Sequence, residues 1–374
     1  MLDLTKLNKA AAEAAVSKSS FGKTSIISAR SHVSSGLSTQ VRMNGGQDIN
    51  IINISFENMI DNAEISSSEY VIIDIADFRD VQVIEQKIKF LFPVSTKKLF
   101  VGDVDSIIFC DEMKRIGALY LHIESQLMML GAALKKTDEQ VSAASYTQKL
   151  SILGCKGGSG TSCVALWLFK AFGDLSNLPV LLVQGHTSTP DLDLISDATL
   201  TRDGVITKIN AHQGMKIETD EEAWKFELPD YQSYNIVIFD HNITTQTRDK
   251  LAFVIPGSDF IFIVVTRELS SVRNARLIID ELERTSSLQD SSKNIIILNE
   301  NHQSKPDELS NEDIENYLGK NIDIVSPYRK DIKKKILQSD LDSFAAKMLG
   351  RNNGDSKDAL GRKWFNLSSI FKRK

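Results

Sequence analysis

The chain has little cysteine, no long apolar run and no excess of positive charge, and each shortage removes a class of protein. Its three cysteines, Cys110, Cys155 and Cys163, are odd in number and lack metal-ligand spacing. That excludes a disulfide framework and a zinc site and makes a reducing cytoplasm the expected compartment. The longest apolar runs are about eight residues, against the roughly 20 that a bilayer-spanning helix needs, so no transmembrane segment is expected. Residues 1–22 scatter Asp3, Glu13 and several lysines among short apolar residues, without the apolar core of a secretory signal. A formal net charge of −5 argues against broad, sequence-independent nucleic-acid binding, which needs a basic surface to displace counterions.

What is present describes a folded, two-part protein. Hydrophobic residues at 42% and charged residues at 25% are ordinary for soluble globules, and 374 residues suit two cores. Residues 1–22 read as a flexible leader, and 31–48, rich in Ser, Gln and Gly, as a long early loop. Short β-branched runs at Thr24–Ser28, Ile49–Ser55, Tyr70–Asp74, Lys98–Gly102 and Ala118–Ile123 then alternate with helix-period segments. Those segments are Phe56–Asn62, Val81–Phe92, Asp105–Ile116 and Ser125–Leu134. Strands separated by helix-length crossovers imply an open parallel sheet, so 23–136 is expected to be a receiver-like, flavodoxin-like α/β domain. A polar linker over 137–147 leads to a second, doubly wound domain over 148–348. Its expected strands are Lys149–Gly154, Pro179–Gln184, Tyr234–Asp240, Phe260–Thr266, Asn294–Asn299 and Asp323–Val325, and a tail follows over 349–374.

The strongest chemical motif is Cys155-Lys156-Gly157-Gly158-Ser159-Gly160-Thr161-Ser162, between an apolar strand and a helix-period segment. A strand, a Gly-rich turn and a helix in that order place backbone N–H groups and a helix N-terminus around an anion. Gly157, Gly158 and Gly160 let the backbone approach phosphates, and Ser162 stands where a hydroxyl would hold Mg²⁺. The position that should carry the phosphate-reaching lysine holds Thr161. Tyr234-Asn-Ile-Val-Ile-Phe-Asp240 is a buried strand ending in a carboxylate, the form that orients Mg²⁺ through water.

With Lys156 opening the loop, the motif resembles the deviant Walker A group of the ParA and MinD kind. The resemblance implies a P-loop ATP-binding domain that works as a homodimer, with Lys156 reaching the partner's nucleotide. Residues 156–163, from Lys156 to Cys163, would then line the nucleotide, with Ser162 and Asp240 holding Mg²⁺. The stretch from Glu268 to Arg276 is similar to the corresponding MinD segment, and Asn299 falls where the family recognises adenine. A receiver-like domain ahead of such an ATPase resembles the TadZ and CpaE branch, which implies a localisation factor for a pilus or secretion machine at the membrane or cell pole. The chain departs from the family in two places. Thr161 replaces the usual lysine, and Gln184-Gly185-His186 replaces an acidic pair after the second strand, although Leu192-Asp193-Leu194 follows in register. Phosphoryl transfer depends on electrostatic stabilisation and water positioning, so binding with weak or no hydrolysis is expected. The competing reading is an active ATPase that positions cargo, with partner-stimulated hydrolysis. Plainer readings stay open beside both: a tight structural turn, a site that holds no nucleotide, and His186 and Asp193 as ordinary loop residues.

Asp74, ending its strand, stands where a receiver is phosphorylated, but the first strand leads into Ala29-Arg30-Ser31-His32 and the fifth into Glu124-Ser125, without the acidic pair or the lysine that chemistry needs. Asp74 therefore reads as a strand-end or cap residue, and the domain as one for protein contact. In the tail, Leu360, Trp364, Leu367 and Phe371 align on one helix face beside basic residues, fitting either a membrane-surface anchor or a helix docked on protein. No helix pair for reading specific DNA is recognisable.

Overall fold

In the computed structural model the described residues are 21–351, except 61–62, 141–146, 187, 189–190, 244–246, 287–292, 304, 306 and 332–338. Most of the expected leader and linker, and the tail helix over 360–374, lie outside them. Contacts divide the chain into two units, Met1–Glu85 with Ser95–Ser145, and Gln86–Val94 with Tyr146–Lys374.

In the first unit, five parallel strands lie in the order β2-β1-β3-β4-β5, the flavodoxin-like order expected. They are β1 (Thr24–Ile27), β2 (Ile49–Ile52), β3 (Tyr70–Asp74), β4 (Lys97–Gly102) and β5 (Leu119–His122). Every residue of β1 and β3 is buried, as strands covered on both faces must be, and so they read as continuous runs rather than alternations. Two expectations fail here. The early loop is a helix, Ser31–Met43, because Val33, Leu37 and Val41, spaced by four among serines, form a buried stripe. Conversely, the helix expected over Phe56–Asn62 begins as isolated turns, Asn58 N–H donating to Ser55 O and Met59 N–H to Phe56 O, with a short helix only at Ala63–Ser66. Phe56 and Met59 are buried as that pattern required, but by a turn packed on Phe78.

Asp74 closes β3 with its side chain 2% exposed, gripped from its own unit. Arg30 donates through Nε to Oδ2 at 2.9 Å and through Nη2 to Oδ1 at 2.5 Å. Ser28 Oγ and the Ala76 N–H complete the set at 2.6 and 3.0 Å. Burial alone would raise the Asp74 pKa, but the bonds from Arg30, Ser28 and Ala76 outweigh it and hold the carboxyl below its ordinary value. A cation of the chain thus occupies the carboxylate that a receiver would offer to metal and phosphoryl group.

The second unit is built on an eight-stranded sheet in the order β13-β12-β11-β6-β10-β7-β9-β8, parallel except for β8 against β9. The strands are β6 (Gln148–Gly154), β7 (Val180–Gln184), β8 (Thr207–Lys208), β9 (Gln213–Ile217), β10 (Ile236–Asn242), β11 (Phe260–Val265), β12 (Lys293–Asn299) and β13 (Ile324–Ser326). Separate apolar cores cover the two faces. One packs the helices Thr161–Leu175 and Asp340–Met348, the other Thr247–Gly257, Leu269–Ser286 and Asn311–Leu318. The strand pair β8–β9 was not legible in the sequence, because β9 buries Lys216, which reads as a surface residue. Lys216 is 1% exposed and is satisfied by Glu222 at 2.7 Å. Chain order turns back around β6, whose neighbours are β10 and β11, and such a switch point opens a crevice at the carboxyl ends of the strands.

Arg30→Ala should destabilise the first unit by roughly 3 kcal/mol at pH 7, since it strands a buried charge. A depressed carboxyl pKa contributes stability above the unfolded value near pH 4 and loses it as pH falls through the folded value. The gap between wild type and variant, read by urea denaturation, should therefore narrow at pH 3; an equal gap at both pH values would contradict the ion-pair account.

Candidate nucleotide site

The glycine-rich loop leaves β6 at Gly154 and enters the helix Thr161–Leu175. Gly160 is the helix N-cap with φ +79°, a left-handed conformation that L side chains rarely adopt, and a Cβ there would meet Asn299 Nδ2 at 2.4 Å. Gly158 has the same φ, and a Cβ on Gly157 or Gly158 would meet nothing within 4 Å. The loop therefore has a braced side and an open side. Bracing comes from three amides: Asn274 Nδ2 donates to Cys155 O at 2.7 Å, Asn299 Nδ2 to Ser159 O at 2.8 Å, and Asn301 Nδ2 to Gly158 O at 3.3 Å. Asn299, expected at the adenine base, here spends its amide N–H on the loop, while its buried Oδ1 has no partner.

Thr161 does not replace the missing lysine. Its hydroxyl lies 2.9 Å from Ser159 Oγ, folded back over Gly154, whose Cβ it would meet at 2.4 Å. Lys156 is ion-paired with Glu268, ahead of the helix Leu269–Ser286. Both side chains are about 40% exposed, 39% and 41%, and pairs of that exposure are worth only ~0–1 kcal/mol. The Lys156 ammonium is parked rather than locked.

The expected metal ligand Asp240 lies near the carboxyl end of β10. Asp240 is 2% exposed, bonded by Ser162 and Gln184, with Oδ2 buried and unpartnered. Burial pushes its pKa up to about 7, helped by the Asp191 charge and opposed by the bonds from Ser162 and Gln184. Gln184, wholly buried at the end of β7, also donates through Nε2 to Asp191 Oδ1 at 2.9 Å. An amide thus ties two carboxylates together. A hydroxyl beside a carboxylate with a free oxygen fits a hydrated Mg²⁺, and the open backbone over Gly157 and Gly158 fits the phosphates it accompanies. The structure brings Ser162 and Asp240 together, and beside them stand Asp191, Asn274 and the Lys156–Glu268 pair, which no contiguous stretch of sequence announces.

Cys163 keeps a proton, its pKa raised to about 11 by burial and by Asp191 and Asp240, and Cys155 is raised further by complete burial. All three cysteines are free. His186 pairs through Nδ1 with Asp220 Oδ1 at 2.8 Å, and Asp193 bonds only its neighbour's N–H among the contacts described. Among the described residues no helix is long and apolar enough to cross a membrane, and no cluster of three His, Cys, Asp or Glu side chains could hold a metal alone.

A buried carboxyl with a raised pKa costs the apo protein stability as pH climbs from the unfolded value near 4 through about 7. Asp240→Asn should therefore melt no lower than wild type at pH 8 without divalent cation, with any advantage gone by pH 5. It should also lose the thermal shift expected of the wild type with Mg²⁺-nucleotide; an unchanged shift would remove Asp240 from the expected metal ligands.

No family model and no curated protein matches the sequence. Among solved structures, the ParA family ATPase of Chlorobium tepidum TLS is 22% identical, with 54% of this chain and 97% of that one covered at a TM-score of 0.39. The Aquifex aeolicus MinC:MinD cell division complex is matched at 20% identity, 58% and 99% coverage and a TM-score of 0.43. The MinD of Pyrococcus horikoshii OT3, solved with Mg-ADP, is matched at 17% identity, 61% and 100% coverage and a TM-score of 0.41. Each likeness is one of fold, and each spans nearly the whole of the other chain.

Proposed function

We propose that the second unit binds ATP with Mg²⁺ and that the protein is a nucleotide-gated scaffold, working as a homodimer with weak or no hydrolysis. The carrying observation is the loop itself: an open backbone cradle beside Ser162 and the orphaned Asp240 oxygen, with no cation of its own at Thr161. The backbone N–H groups would hold the phosphates and the Ser162–Asp240 corner would hold the metal, which supplies positive charge between the phosphate oxygens. Lys156, released from Glu268 at small cost, would supply the second cation. Gln184 keeps a neutral amide next to Asp240, so the corner lacks the carboxylate arrangement that the family uses near the attacking water.

On this reading the chain recruits a Tad-type pilus or secretion apparatus to its place in the cell. The order of a closed receiver-like unit before the nucleotide unit supports it. Asp74, held by Arg30, leaves the first unit suited to protein contact rather than phosphorylation.

Calorimetry with ATP and Mg²⁺, run beside phosphate release and sedimentation, tests the proposal on wild type and Lys156→Ala. Wild type should bind and dimerise with turnover below about 1 per second, the low end of enzyme rates, and Lys156→Ala should lose nucleotide-dependent dimerisation. Faster turnover would make the protein an active positioning ATPase, and no binding by either form would make the site vestigial.

A further inference from the structure

One cavity of the second unit lies away from the phosphate loop. About 700 Å³ opens at the carboxyl ends of β7 and β9, lined by Gln184, His186, Arg202, Asp203 and residues 217–222. Along the sheet, β10 and β7 separate β6 from β9, so three strand spacings, roughly 14 Å at about 4.8 Å each, lie between the loop and this wall. The lining carries Asp203, Glu218, Asp220, Glu221 and Glu222 against Arg202, a field that repels phosphate.

Glu218 stands at its floor. It is 5% exposed, it follows β9 with its N–H donated to Gln184 O at 2.9 Å, and Oε2 accepts the His186 N–H at 3.3 Å. Oε1 is buried without a partner. An acceptor left bare at the base of a cavity calls for a donor, and the acidic rim selects a positive one. We propose that this cavity binds an organic cation, a guanidinium or ammonium group whose N–H donors satisfy Glu218 Oε1.

The neighbouring groups leave that role to Glu218. The Lys216 ammonium is committed to Glu222 at 2.7 Å, and Asp220 accepts His186 Nδ1 at 2.8 Å. The Asp203 carboxylate takes the Thr201 hydroxyl at 2.6 Å and the Val205 N–H at 3.1 Å. Burial, foremost, pushes the Glu218 pKa up to about 7, with Glu222 adding to it and the His186 N–H and Lys216 opposing. A bound cation favours the ionised carboxylate, so binding releases a proton at neutral pH and tightens as pH rises from 6 to 8. The volume is that of a small-molecule site and also admits a single long side chain of a partner protein. Both sources present the same chemistry. Nothing in this inference requires that nucleotide binds.

Calorimetry on the full chain at low salt, with agmatine and with a blocked Ala-Arg-Ala peptide as probes, tests it. At least one probe should bind, more tightly at pH 8 than at pH 6. Agmatine alone would identify a free cation as ligand, and the peptide alone an arginine of a partner. Glu218→Gln keeps the shape, removes a buried acid and should weaken binding at least tenfold. Arg202→Ala, at an exposed position, should tighten it severalfold by removing a like charge from the rim. No heat from either probe up to about 10 mM, or equal affinities for wild type and Glu218→Gln, would overturn the proposal.

Discussion

The arrangement of the second unit depends on one buried carboxyl group. Asp240 lies near the carboxyl end of β10, beside Ile152 of β6 and Gln184 of β7, and among the described residues no cation pairs with it. A carboxylate so placed is costly to ionise, so it draws in whatever can share its charge: the Ser162 hydroxyl from the helix after the loop and the Gln184 amide from β7. Those bonds set the entry of the helix and the end of β7 at the same point. The loop geometry follows, since Gly160 must cap that helix while Asn299 holds Ser159 from the other side.

Two aspartates near the carboxyl edges of the parallel sheets, Asp74 and Asp240, have opposite fates. Asp74 has a guanidinium in bidentate contact, which keeps it ionised and closed to other cations. Asp240 has only neutral donors and keeps one oxygen free, so it holds a proton more readily than an ordinary carboxylate. The same topology thus yields one structural carboxylate and one receptive to ligand, and the deciding difference is a single arginine after β1. Lys156 occupies a middle position, paired with Glu268 but half-exposed, so its charge is available at little cost.

Much of this was legible in the sequence where the information is contiguous. Tyr70–Asp74 and Phe260–Val265 are continuous apolar runs because both faces of their sheets are covered, and the loop from Cys155 to Ser162 reads as one motif. What escaped was information carried by pairing across the chain. Ser31–Met43 looked like a loop since its three buried apolar residues are outnumbered by serines and polar neighbours, and helix formation there depends on the core beneath. β9 was hidden by Lys216, whose burial makes sense only with Glu222 across the turn. Likewise Arg30–Asp74 and Lys156–Glu268 join residues 44 and 112 positions apart, and no local pattern announces either.

Charge is sorted along one sheet edge. At β6 the loop presents backbone N–H groups and a helix N-terminus, a place for anions, and its neighbour β10 contributes Asp240. Two strands further, at β9, acidic side chains surround an unpartnered Glu218 oxygen, a place for cations. Gln184 lies between them, its amide joining Asp240 to Asp191 and its carbonyl accepting the Glu218 N–H. An acid at position 184 would add a third negative charge beside Asp240 and Asp191. A neutral amide lets an anion site and a cation site share one edge without like charges accumulating at their boundary.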